Sequence, residues 1–358
     1  MRAASGLTLA ALASLCSGCA HLAETPFGDG VPFEDASGRI RQTVLTEDGG
    51  RVDWSHALGL IAFDREGPDG FFDVWTMRPD GSDQRCFTCD LPGLPRKNVG
   101  QPAWHPAGTY LVVQVQKATG RVTSFAANPG RGVRNDLWAV RYPDGRARQL
   151  TDLPPEGAHG VLHPHFSADG RTLLWSEQVG PVALDALVAR WVLRWAAFVE
   201  GPDGPELRDI QTCAPDRASF RESHGLSPDG TRWIFSANAD PQKPLAQLGD
   251  IWSVAFPSCA GIQRITSGGY NEHATYTPDG ARLVWMSSAG NRRHHGTDYW
   301  SARADGTGLR RLTRLSETRG RRTIAADVSV GPDGTSFVGY VQPEVLAGKG
   351  KIIRFDGL

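Results

Sequence analysis

Three histidines of this 358-residue chain occupy matching places in a recurring phrase. His163 stands four residues before the Ser of Ser167-Ala168-Asp169-Gly170. His273 stands four before the Thr of Thr277-Pro278-Asp279-Gly280. His224 joins the same register at Ser227-Pro228-Asp229-Gly230 once a one-residue deletion is allowed. In the other copies this position reads Arg51, Gln101 and Asp327. Imidazoles converging from separate segments are the usual means of holding a transition metal, so His163, His224 and His273 are expected to share a divalent ion. Gln101 and Asp327 come next, as ligands or as partners for the ring nitrogen that does not face the metal. Arg51, Arg131, Arg134, Arg292 and Arg293 would give the same face a preference for anions. Glu272 directly precedes His273, and Glu222 stands two residues before His224. His165 alternates with His163, so on a regular strand it points the other way. One histidine at such a place would simply bind water; three in register are what argue for a metal.

The elements that must position these residues are legible from the repeat itself. A short strand, Pro-Asp-Gly or a near variant, and an apolar strand recur with turns at His105 to Gly108, Ser167 to Gly170, Ser227 to Gly230, Thr277 to Gly280 and Gly331 to Gly334. A degenerate first copy reads Asp53-Trp54-Ser55-His56-Ala57. Pro presets the first turn position and Gly takes the positive φ, so each phrase is a β-hairpin. Asp-x-Trp opens the next strand at Asp73/Trp75, Asp136/Trp138, Asp250/Trp252 and Asp298/Trp300. A strand ending in Thr closes each unit at Thr88, Thr151, Thr212, Thr266 and Thr313. Four antiparallel strands, a to d, make one propeller blade. The sixth unit ends at Lys351 to Phe355 without a strand d. Arg39 to Thr46 looks like the missing strand and is expected to close the ring, which removes exposed edges. The expected fold is all-β: a six-bladed β-propeller of four-stranded antiparallel blades, closed by an N-terminal strand. Strand a lines the channel, and the d–a and b–c loops are expected to open on the face of the histidines.

The pattern of Ser-Pro-Asp-Gly, apolar strand, Asp-x-Trp and terminal Leu-Thr resembles TolB-like propeller repeats, of the PD40 or WD40-like kind, from Arg39 to Leu358. TolB carries an α/β domain ahead of its propeller. Here only a short linker is expected there, so the resemblance implies the fold and not the Tol-system role. His163-Pro164-His165-Phe166-Ser167 and Glu272-His273 are also similar to the repeats of oligogalacturonate lyases. That resemblance implies a divalent metal held by central His and Gln residues. It is partial, because that family has seven blades.

The chain begins with a targeting pattern. Arg2 precedes an apolar run from Leu7 to Leu15, too short to span a bilayer. Ser17-Gly18-Cys19 resembles a bacterial lipobox, although Cys16 stands where Leu is usual. Residues 1–18 are expected to be a signal peptide, Cys19 the lipidated residue, 19–38 a linker and 39–358 the propeller. Ordinary cleavage after Ala20 is the alternative. The resemblance implies lipid anchoring at the outer membrane, facing the periplasm, with membrane contact only through the anchor. In that oxidising compartment Cys86, Cys89, Cys213 and Cys259 could form disulfides. Cys86 and Cys89 would lie about 10 Å apart in an extended strand, so bridging them needs a turn.

A net charge of −1 supplies no field to attract nucleic acid. The leading expectation is a binding module for a protein or carbohydrate partner at the cell envelope. The alternative is a metal-dependent lyase or hydrolase acting on an acidic saccharide. No phosphate loop, Gly-x-Ser-x-Gly or His-Glu-x-x-His is present.

Overall fold

The structure is a computed structural model and describes residues 24–119, 124–155, 159–180, 190–215, 218–238, 249–291, 296–317, 323–343 and 349–358. Cys19, Arg292, Arg293 and the loop 181–189 lie outside the described residues. Six antiparallel sheets follow one another along the chain as blades. Blade 1 runs Val52–Trp54, Ile61–Glu66, Phe72–Met77 and Arg85–Cys86. Blade 2 runs Val99–Trp104, Tyr110–Gln116, Asn135–Arg141 and Ala147–Gln149. Blade 3 is the longest, with His159–Phe166, Thr172–Val179, Trp191–Gly201 and Gly204–Cys213. Blade 4 is Arg221–Leu226, Arg232–Ala237, Asp250–Ala255 and Ala260–Arg264. Blade 5 is Asn271–Tyr276, Arg282–Ser287, Asp298–Arg303 and Arg310–Arg311. Blade 6 takes Ile324–Val330, Ser336–Gln342 and Gly350–Asp356 from the end of the chain and Arg41–Gly49 from its beginning.

The closing strand pairs Ile353 with Val44 and Asp356 with Arg41. The ring is therefore shut by hydrogen bonds between residues about three hundred positions apart, as the repeat count required. The preceding segment is more than a linker. Glu34–Asp35 adds a parallel fifth strand to blade 5. Phe27 stacks on Trp285, Phe33 leans on Trp300, and Thr25 and Ala36 are fully buried. From Glu24 onward the segment is part of the body, because its apolar residues find the uncovered edge of blade 5.

The recurring Asp and Thr explain each other. Thr151 Oγ1 donates to Asp136 at 3.0 Å and accepts from the Leu137 N–H. Thr313 does the same between Asp298 and Tyr299, and Thr88 between Asp73 and Val74. Each pair ties strand d to strand c where the ladder ends. Between blades, Leu174 and Leu193 pack on Trp233, Phe235 and Val254, so the core is a series of inter-blade layers. Among the described residues two disulfides are present, Cys86–Cys89 and Cys213–Cys259. The first closes because strand d stops at Cys86 and the chain bends, bringing the two Cα atoms to 5.7 Å. The second ties strand d of blade 3 to the c–d turn of blade 4.

Candidate functional site

Strand a is not regular in blades 2 to 6. Its register with strand b slips at Val112/Gln114, Leu162/His165, Ser223/Leu226, Glu272/Thr275 and Ala325/Val328. At these bulges Gln101, His163 and His273 take positive φ of 50°, 48° and 53°, and Gly225 takes 86°. Left-handed backbone in a non-glycine residue costs about 1–3 kcal/mol and persists where the surroundings impose it, most often at functional sites. The bulge aims a backbone N–H and a side chain together at the axis. His163 N–H donates to Gln101 Oε1 at 2.8 Å, Gln101 N–H to Asp64 at 3.0 Å, and His273 N–H to His224 Nε2 at 3.2 Å.

The six residues of the repeat register do meet. Arg51, Gln101, His163, His224, His273 and Asp327 line one axial cavity of about 70 Å³, room for an ion and a few waters but not for an organic substrate. His165 lines it too, contrary to the alternation expected of a regular strand. The bulge between Leu162 and His165 breaks the two-residue period, so both rings turn inward. Pro164 was the available sign, since Pro inside a strand marks a bulge or an edge. Asp64, on strand b of blade 1, could not be found from the register of strand a.

The rings of His163 and His273 stack at 5.0 Å, and His224 lies 5.6 Å from one and 5.7 Å from the other. Donor atoms close enough for one ion form two overlapping triads: His163, His165 and His224, and His163, Glu222 and His273. His163 belongs to both. His165 Nε2 and Gln101 Nε2 are buried without a hydrogen-bond partner, His163 Nε2 lies 2.7 Å from Glu222 Oε1, and His273 Nδ1 faces Asp327 at 3.5 Å. Buried orphan nitrogens of this kind call for a ligand or water.

Burial depresses the basicity of all four imidazoles, that of His165 to about 3. They are neutral at pH 7, the state that ligates. Burial alone would raise the Asp327 carboxyl, but the His273 and His163 rings and the Arg51 guanidinium hold it below its ordinary value. Asp327 lies 3.5 Å from His273 Nδ1 and 3.8 Å from Arg51 Nε. Glu222 and Glu272 back the histidines without lining the cavity. Burial raises them to about 7 and about 8, and they share a hydrogen bond, with Tyr270 donating to Glu272.

The cavity adjoins a wider bowl of about 320 Å³ among the a–b turns, and Asp53, His224, Thr275 and Ser329 line both. Among the described residues the cavity therefore continues toward the Pro-Asp-Gly side. On the opposite side Gly130, from the b–c loop of blade 2, lies flat against Arg51. A Cβ there would sit 2.0 Å from the guanidinium. Arg131 and Arg134 are on this covering loop and do not line the cavity.

No family model matches the chain. The Tol-Pal system protein TolB of Anaeromyxobacter dehalogenans strain 2CP-C is 27% identical over 224 residues, 53% of this chain and 47% of that protein. Its counterpart in Anaeromyxobacter sp. strain K is 26% identical over the same span. The chain spans about half the length of these curated relatives. Among solved structures, TolB from Acinetobacter baumannii superposes with a TM-score of 0.54 at 15% identity, over 85% of this chain and 65% of that one. An oligogalacturonate lyase in complex with manganese gives 0.54 at 11% identity, over 91% and 95%.

Proposed function

We propose that this TolB-like β-propeller is a metal-holding binding module of the cell envelope. A divalent transition ion would be held at its axis by His163, His224 and His273, with His165 as a further nitrogen donor. The observation that carries this reading is the convergence of four neutral imidazoles, in two overlapping donor triads, on a cavity of ionic size. Gln101 and Asp327 orient the rings or complete the shell. The bowl beside the cavity then offers a partner Trp54, Trp104 and Tyr276 above the centre. The partner class is a protein or a carbohydrate. Similarity to TolB, a Tol-Pal system protein by its printed name, supports a protein. Lipidation at Cys19 and attachment at the outer membrane belong to this proposal. Arg292 and Arg293 would add to an anion preference of the b–c loop face.

The test is elemental analysis of the purified body, with thermal melting in the presence and absence of chelator. A stoichiometric transition metal whose removal lowers Tm supports the reading. Metal-free protein that neither gains stability with added ions nor loses it with chelator overturns it.

A second reading is favoured by the bowl itself, which has room for a sugar ring directly over the cavity. There the chain would be a metal-dependent lyase or hydrolase of an acidic saccharide. The metal would polarise a substrate carboxylate. Arg51, held between Asp64 and Asp327, would counter the charge of the acid. Metal-dependent turnover of oligogalacturonate supports this reading, and binding without turnover returns the module reading.

A further inference from the structure

The Asp of the Asp-x-Trp phrase is satisfied by a cation in three blades. Arg264 Nη2 donates to Asp250 at 2.6 Å in blade 4, and Arg311 Nη2 to Asp298 at 2.8 Å in blade 5. In blade 2 the cation is Lys117, which bonds Asp136 from the end of strand b, with Gln149 joining at 3.3 Å from strand d. A cation thus reaches this carboxylate from one of two places, the strand-d residue opposite the Trp or the residue just after strand b.

Blade 1 empties both places. The residue opposite Trp75 is Cys86, and it is tied into the Cys86–Cys89 disulfide. The residue after strand b is Gly67. Asp73 keeps its Thr88 hydroxyl at 2.8 Å, and among the described residues no Lys, Arg or His forms an ion pair with it. The space that a long cationic side chain fills elsewhere is here a cavity of about 510 Å³. Its walls are aromatic and aliphatic, with Phe71, Trp75, Leu91 and Leu94 among them. Asp69 and Asp90 join Asp73 in the lining and raise its carboxyl together with burial. Two cations also line it, and both are engaged: Arg96 with Asp90 at 2.9 Å, and Lys97 over the Phe71 ring at 4.8 Å.

We propose that this cavity receives a lysine or arginine side chain from a partner protein, which supplies in trans the cation that the other blades supply in cis. An aliphatic stem suits the Leu and Pro walls, and a terminal ammonium or guanidinium suits Asp73. The Trp75 and Phe71 rings already carry Arg65 and Lys97, at 4.5 and 4.8 Å, so the carboxylate and the apolar walls supply the recognition. The site lies on the rim of blade 1, apart from the axial histidines, and does not depend on the metal.

The test is titration of the intact body with the capped peptides Gly-Arg-Gly, Gly-Lys-Gly and Gly-Gln-Gly, read at the Trp75 indole N–H by NMR. The expected result is millimolar binding of the Arg or Lys peptide, at least tenfold weaker binding of the Gln peptide, and a further tenfold loss in Asp73→Asn. Gly67→Lys, which restores the arrangement of blade 2, should block the peptides. If Asp73→Asn does not fold, the wild-type contrast between Arg and Gln peptides and its weakening by salt decide alone. Equal response to Gln and Arg peptides overturns the proposal. Binding of butylammonium with no response to either cationic peptide overturns it as well.

Discussion

The backbone N–H of His273 donates to Nε2 of His224 across 3.2 Å, and the Ser236 hydroxyl lies 2.7 Å from the same nitrogen. Two protein groups therefore occupy one side of the His224 ring, and Nδ1 is the nitrogen left for the cavity. With an ion on Nδ1, the neutral ring carries its proton on Nε2. The shorter contact, to Ser236, then becomes the Nε2–H donation that fixes the ligand, at the expense of the His273 bond.

Ser236→Ala should therefore weaken metal affinity by about 10–100-fold while leaving the propeller folded, as expected for loss of a group that orients a ligand. His163→Ala should cost more, because His163 is common to both donor triads. Competition with a coloured chelator measures both. Equal, wild-type affinity in the two variants would remove His224 and His163 from the centre.

Acid should release the metal, because protonated imidazole cannot ligate. Burial lowers the basicity of these rings, so release from the folded site should begin below the ordinary histidine range near 6.5. Metal content after dialysis from pH 7.5 down to 4 checks this. Half-release above pH 7 contradicts neutral, buried ligands.

Without metal, the pair Glu222 and Glu272 should make stability fall as pH rises. Their folded values, about 7 and about 8, lie above the ordinary 4.5, so the folded state holds the extra protons. Their contribution is complete below about pH 4.5 and is lost as pH climbs through 7 and 8. The histidines act in the opposite sense, losing their contribution as pH falls below 6.5. Glu272→Gln in chelator should thus gain Tm over wild type at pH 8, at about 2–4 °C per kcal/mol, and show little gain at pH 5. The same difference at both pH values would mean that the pair does not titrate in this range.

Removing residues 24–37 should destabilise the body, because Phe27, Val31 and Phe33 pack on the core of blades 4 and 5. Each partly buried side chain is worth on the order of 1–2 kcal/mol. Extending the deletion through residue 49 also takes the strand that closes blade 6, and cooperative unfolding should be lost. Denaturant melts of the two truncations separate the effects. A 24–37 deletion that melts like the full body shows that the segment merely lies on the surface.

Cys213→Ser with Cys259→Ser opens a bridge of 46 residues' separation between neighbouring blades. Chain entropy sets its contribution at about 4 kcal/mol. Cys86→Ser with Cys89→Ser, separated by three residues, should cost much less. Chemical denaturation of both double variants gives the ordering, and a larger loss from the short bridge would reverse it.

Six turns of Pro-Asp-Gly type, the Asp-x-Trp strands and the Thr-ended strands were enough to specify the blades, their number and the strand that shuts the ring. They are local signals: turn chemistry and two-residue alternation act within a few positions, so they can be read along the chain. The register that gathers Arg51, Gln101, His163, His224, His273 and Asp327 was legible for the same reason, since one repeat unit sets one place on the axis. What only the tertiary structure decided depends on departures from that period and on contacts between blades. The bulge at Leu162/His165 turned His165 inward, and the one opposite Val112/Gln114 set the Gln101 N–H on Asp64. The docking of Phe27 and Phe33 rests on an edge of blade 5 that exists only once the blade has formed. That Asp73 has no ion-pair partner among the described residues appears only when one blade is laid over another. A carboxylate without its cation is defined by distance, and distance is set by packing and not by spacing along the chain.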